Sequence, residues 1–224
     1  MEKRNNTMDI TSKKYVILTG RFETGIEEQQ QGYIQLFGAD NIQYFFDLYF
    51  HWYNIIHELG HCIVEKQGAV MSRVDEEMYV NRLAVAYYRY MGEDSRLKEL
   101  EERLTKILSQ FPAPMPEGET FLDFYTRIWN TEQINNVMIY GYFQLNSVLE
   151  AFHNEGSLKD VLKEIGIDAS EQNEKCACTE EIASANTQAF LQSALKNLSA
   201  MGIQMPQIRV ELQDDPMIQC AREE

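Results

Sequence analysis

The chain has 224 residues, of which 44% are hydrophobic and 25% charged, the ordinary composition of a globular protein with one substantial core and room for a smaller lobe. Its formal net charge of −15 and its pI near 4.7 argue against direct binding to a nucleic-acid backbone, because phosphate contacts need clustered Lys and Arg. No membrane-spanning segment is expected either. The most apolar run, residues 42–64, is interrupted by Asp47, His51, Asn54, His57, Glu58 and His61, more polar groups than a lipid-facing span tolerates.

Residues 1–14 are polar and charged, without the apolar stretch of a secretory signal. The four cysteines, Cys62, Cys176, Cys178 and Cys220, follow no secreted-domain spacing, so a reducing cytoplasm is the expected location. Cys176 and Cys178 form a Cys-x-Cys pair that could bind a metal, although two cysteines so close are a weak signal alone. Short β-branched and aromatic runs at 15–18 and 33–37, bounded by glycines, predict two strands, with 27–31 as a polar turn between them. Asp40 or Asn41 is positioned to cap a long helix running to about Lys66, apolar on most sides and therefore central to the fold. His51, seven residues before Glu58, lies on nearly the same face of that helix; it either tunes Glu58 or is a hydrogen-bonded core histidine.

Ser72 with Asp75 three later predicts a capped start to a second helix, which should end at Met91 because Gly92 follows. A third helix over 95–110 puts Leu97, Leu100, Leu104, Ile107 and Leu108 on one face. Pro112, Pro114 and Pro116 prevent helix and mark a rigid loop. Helices are expected again at 121–129, 134–152 and 157–165. Residues 166–179 are polar and predict a boundary, followed by a helix over 179–198 and a strand in which Ile208, Val210 and Leu212 alternate with Arg209 and Glu211. The expected domains are therefore 1–165 and a C-terminal extension, 166–224. No internal repeat is present.

The long first helix carries His57-Glu58-Leu59-Gly60-His61. Positions i and i+4 stack on one helical face, so both imidazoles can reach one ion. Glu58, about 100° further round, can reach a water at that ion without being a ligand. Two histidines four apart on an apolar helix are also compatible with a plain, hydrogen-bonded core. The uncharged flanks, Ile55, Ile56, Leu59, Gly60, Cys62 and Ile63, favour the metal, because two imidazoles and a carboxylate buried among them need a partner. A catalytic zinc takes three protein ligands, so a third must come from elsewhere. In the following helix Glu77 shares a face with Asn81, whereas Glu76 stacks on Val80. Glu77 is therefore the expected ligand, and Asn81 the group that orients a histidine or the ligand carboxylate.

HELGH, followed within about twenty residues by a helix carrying Glu77, Asn81 and Ala84, resembles the zincin metallopeptidases whose third ligand is glutamate. Among them it is most similar to the ImmA/IrrE-like peptidases, with their H-E-x-x-H and later E-x-E-A-N-x-F-A. Tyr79, Val80 and Leu83 stand where that family has Glu, Ala and Phe, and the resemblance spans only about residues 55–88. It implies an α+β, predominantly helical zincin-like core with a small N-terminal β-sheet, bound Zn2+, and peptide or protein substrates hydrolysed with Glu58 as general base. It also implies a substrate-receiving edge strand, for which 33–37 is the candidate, and an oxyanion donor, for which Tyr140, Tyr142 and His153 are candidates. The alternative is a zinc-binding regulatory or interaction protein that keeps the site without catalysis.

Overall fold

The computed structural model describes residues 14–40, 42–170, 172 and 174–213. Asn41, Cys220 and the polar residues 1–13 therefore lie outside the described part. The fold is mainly helical with one small sheet, an α+β arrangement. Strand β1 (Lys14–Gly20) is followed by α1 (Glu27–Phe37), α2 (Ile42–Phe46), a π-helical segment (Asp47–Tyr53) and α3 (Asn54–Gln67). Next come α4 (Arg73–Met91), α5 (Asp94–Leu108), α6 (Phe121–Ile128), α7 (Val137–Phe152) and α8 (Leu158–Glu164). Helix α9 (Thr187–Ala200) and strand β2 (Gln207–Gln213) complete the order.

The sheet differs from the expected N-terminal one. β1 pairs in parallel with β2, in a register from Lys14 opposite Gln207 to Gly20 opposite Gln213. The strand expected at 33–37 is helix α1. Glu and Gln, which dominate 27–31, are good helix formers, and Tyr33 and Phe37 are as compatible with i, i+4 spacing as with alternation. Their rings stack 5.6 Å apart, and Tyr33 sits edge-on to Phe46 and Phe50. Three-dimensional packing selects the helix, and no substrate-receiving edge exists at those residues.

The long helix expected up to Lys66 is helical throughout its described part, but its middle widens into the π segment. His51 lies in that segment, wholly buried. Its Nδ1 faces the Asp47 carboxylate, and its Nε2 lies 2.7 Å from the Gly20 carbonyl. His51 is thus a core histidine that ties the π segment to the end of β1. The helix expected over 134–152 is interrupted because Asn136 caps α7, its Oδ1 accepting from the N–H groups of Met138 and Ile139. A separate short 3-10 turn, Glu132–Asn135, precedes that cap. The helix expected from 179 begins only at Thr187, after a 3-10 turn at Ser184–Asn186.

One hydrophobic cluster holds α3, α4, α5 and α9 together and includes Leu59, Val80, Leu100 and Leu191, none more than marginally exposed. Residues beyond 166, among them Phe190, Ala194 and Leu198, belong to this same cluster. A smaller one joins Phe124, Tyr125, Ile128 and Phe143 to Val74 at the start of α4. α3 and α4 are in close contact at Gly60, where a Cβ would lie 2.9 Å from Val80 Cβ. Only a residue without a side chain permits that approach. Ser72 caps α4 by accepting from the Asp75 N–H at 3.1 Å, and Gly92, with φ 79°, ends it in the left-handed region as expected.

Candidate metal centre

The close α3–α4 contact brings three side chains to one point. His57 Nε2 and His61 Nε2 lie 3.3 Å apart. The Glu77 carboxylate is 3.4 Å from the first, through Oε2, and 3.6 Å from the second, through Oε1. Zinc–ligand bonds of about 2.0–2.2 Å at tetrahedral angles require donor atoms about 3.3–3.5 Å apart. These separations are near that spacing, and the three side chains lie close enough together to hold a metal ion.

The outward-facing nitrogens are held. His57 Nδ1 donates to Asn81 Oδ1 at 3.0 Å, and His61 Nδ1 donates to Glu76 Oε1 at 2.8 Å. With Nδ1 of each ring facing an acceptor, Nε2 is the nitrogen turned to the centre, as a ligand histidine requires. Two lone pairs at 3.3 Å repel unless a cation or a proton lies between them.

Asn81, itself buried, uses every bond its carboxamide can make. Oδ1 accepts from His57 and from the Tyr53 hydroxyl, the latter at 3.0 Å. Nδ2 donates to the Glu77 carbonyl at 2.9 Å and to Ser147 Oγ at 3.1 Å. Two acceptor and two donor contacts fix which way the amide points. Asn81 therefore orients His57 and also bonds to the backbone of Glu77.

Charge at the site is dominated by Glu58, Glu76 and Glu77. Burial alone would raise the Glu77 carboxyl, but its contacts with His57 and His61 hold it far below the usual carboxylate range. The bond from His61 lowers Glu76 in the same sense. Burial opposes a charge on His61, yet the bonds to Glu76 and Glu77 and the fields of Glu77 and Glu58 prevail, and its pKa rises to about 10. The pocket therefore favours a positive charge at its centre, as a proton or as a metal ion. Glu58 is bonded outside the set: its Oε1 accepts from Asn54 Nδ2 at 3.2 Å.

Among the described residues His57, His61 and Glu77 are the one group of His, Cys, Asp and Glu whose donors lie close enough, within 4.8 Å, to hold a metal ion. Helical periodicity sets Glu76 on the Val80 side of α4 but does not reveal its bond to His61. Val80 packs on Gly60 of α3, so Glu76, stacked on Val80, also faces α3. Tyr53 and Ser147 had no signal. The first depends on the π segment, and the second is brought in by α7 from 66 residues further along the chain. Of the candidate oxyanion donors, His153 is exposed beyond the end of α7, 3.7 Å from Glu150. Tyr140 and Tyr142 pack against the smaller hydrophobic cluster.

No family, curated protein or solved structure matches the chain. Among the described residues no helix is long and apolar enough to cross a membrane.

Proposed function

We propose that this protein is a zinc-dependent, zincin-like peptidase in which His57, His61 and Glu77 are ligands and Glu58 is the general base. The observation that carries the reading is the convergence of two Nε2 atoms on the Glu77 carboxylate, with Glu58 next to one ligand and bonded outside the set. Among the described residues no fourth such side chain joins the group, an arrangement that supports a catalytic site with an open position over a closed structural one. The resemblance to ImmA/IrrE-like peptidases supports peptide or protein substrates, and the cytoplasm is the setting that goes with the reading.

A bound zinc ion supplies Lewis acidity, polarising a carbonyl and acidifying water. The chain's own residues do the rest. Asn54 holds one oxygen of Glu58, leaving the other to take the proton from the attacking water and pass it to the departing nitrogen. Asn81 and Glu76 keep the two imidazoles in the ligating tautomer throughout.

The test is Glu58→Gln in zinc-loaded protein. Metal content and folding should stay near wild type, while cleavage of susceptible members of a peptide library should fall by at least about a hundredfold. A zinc-loaded wild type that cleaves nothing in a broad library would overturn the peptidase reading and leave the metal centre standing.

A further inference from the structure

The Cys-x-Cys pair lies apart from the metal centre, in a setting built by α9 and α4. Asn197 of α9 is buried. Its Oδ1 accepts from the Cys176 N–H at 2.7 Å, and its Nδ2 donates to the Cys176 carbonyl at 3.0 Å. Ser193 Oγ donates to the same carbonyl. One side chain can bond both the N–H and the C=O of a residue when that residue is extended and turns both groups the same way, as in a strand pair. Asn197 therefore holds Cys176 in an extended conformation. In an extended chain the side chains of residues i and i+2 leave on the same side.

The surroundings are rich in soft and polar donors. Asn197 Nδ2 also lies 3.1 Å from the Tyr87 hydroxyl and 3.3 Å from Met91 Sδ. The Tyr87 phenol is raised by burial first, with further contributions from Cys176, Tyr90 and Cys178, which marks these groups as neighbours. The Tyr90 hydroxyl is buried without a hydrogen-bond partner. The Lys175 ammonium lies 4.3 Å from the centre of the Tyr90 ring. Cys176 is exposed and Cys178 half-buried, and both are free thiols.

A disulfide is the less favourable use of such a pair. Cα atoms two apart in an extended chain are separated by roughly 6.6 Å, at the far end of the disulfide range of about 4.4–6.8 Å. So short a loop also gains little from being closed. An ion bridging two sulfurs tolerates the longer span.

We propose that Cys176 and Cys178 form a second metal site that takes a soft, thiophilic cation of the Cu(I) class. Thiolates select such ions over the harder divalent ones. On binding, each thiol gives its proton to solvent as a sulfur–metal bond forms, and no electron is transferred. Asn197 acts as the positioning residue, fixing the backbone that carries the first thiol.

The experiment is anaerobic titration of the full-length protein with Cu(I) in competition with bicinchoninate. Wild type should retain one Cu(I) per chain against the chelator. Cys176→Ser and Cys178→Ser should each weaken retention by at least about tenfold. Cys220→Ser and His57→Ala should leave it unchanged, which separates this site from the other cysteines and from the histidine centre. Thermal unfolding of the two serine variants, whose positions are exposed or half-buried, checks that they fold. Equal retention by wild type and a Cys176→Ser/Cys178→Ser double variant would overturn the proposal, as would a wild type that yields all its Cu(I) to the chelator.

Discussion

Gly60 of α3 and Val80 of α4 approach so closely that a methyl group on the first would lie 2.9 Å from Cβ and 3.0 Å from Cγ1 of the second. Each neighbours a metal-centre residue in sequence, Gly60 preceding His61 and Val80 preceding Asn81. The distance between the helices at this point therefore sets how near Glu77 comes to the two imidazoles.

Gly60→Ala has two opposing effects. Alanine in a helix interior is favoured over glycine by about 1 kcal/mol, but overpacking a tight contact costs about 1–3 kcal/mol. Val80 is β-branched and has little freedom to rotate away, so overpacking should win and the variant should unfold at lower denaturant concentration. Its metal affinity should fall too, because α4 must move outward and carry Glu77 with it. A variant more stable than wild type, with unchanged metal affinity, would refute this account of the contact.

Glu76 and Glu77 are adjacent but have different tasks, one bonding to a histidine and the other facing the centre. Glu77→Gln removes a donor from the metal itself and should abolish retention of zinc against a moderate chelator. Glu76→Gln loses a charged acceptor behind His61 and should weaken binding by about 10–100-fold. Metal competition titrations of the two variants make the comparison, and equal losses would show that the roles are not separate.

The raised His61 pKa, about 10 against an ordinary 6.5, gives a pH dependence of definite sign. In metal-free protein a group raised on folding contributes stability that is fully present below 6.5 and is lost as pH rises through 10. A metal ion must displace that proton from Nε2, so affinity should climb by about tenfold per pH unit from neutral toward pH 10 and then level off. Zinc titrations at several pH values, corrected for the chelator's own protonation, test this. A flat profile would mean that the ring is already neutral before the metal arrives.

The parts of the site visible in the sequence are those fixed by spacing within a single helix. His57 and His61 stack by helical periodicity alone, and Glu77 and Asn81 share a face for the same reason. What escaped detection depends on which face meets which partner. Glu76 stacks on Val80, but a helical wheel gives angles and not the identity of the neighbouring helix, so its bond to His61 is not legible in the sequence. Tyr53 reaches Asn81 from the π segment, whose wider turn shifts side chains relative to α-helical spacing. Caps and stops were well marked, as at Ser72 and Gly92, because they are local chemistry. Residues 33–37 are helical and not a strand: a short, mostly apolar run suits both until Phe46 and Phe50 are in place to receive Tyr33.

The pairing of β1 with β2 has a consequence for how the molecule is made. Lys14 meets Gln207, so β1 leaves the ribosome long before its partner has been synthesised. The metal centre and the residues that orient it lie between Tyr53 and Ser147 and need nothing from β2. Contacts between segments so distant in sequence form late, whereas helices α3 and α4 are neighbours and can dock early. During synthesis, His57, His61 and Glu77 are thus brought together while β1 still has an unsatisfied edge, its apolar Val16 and Leu18 standing out from the surface even in the finished fold. A chain that stalls before Gln207 presents a metal-competent helical body with a bare strand, a species for chaperones or proteases to remove.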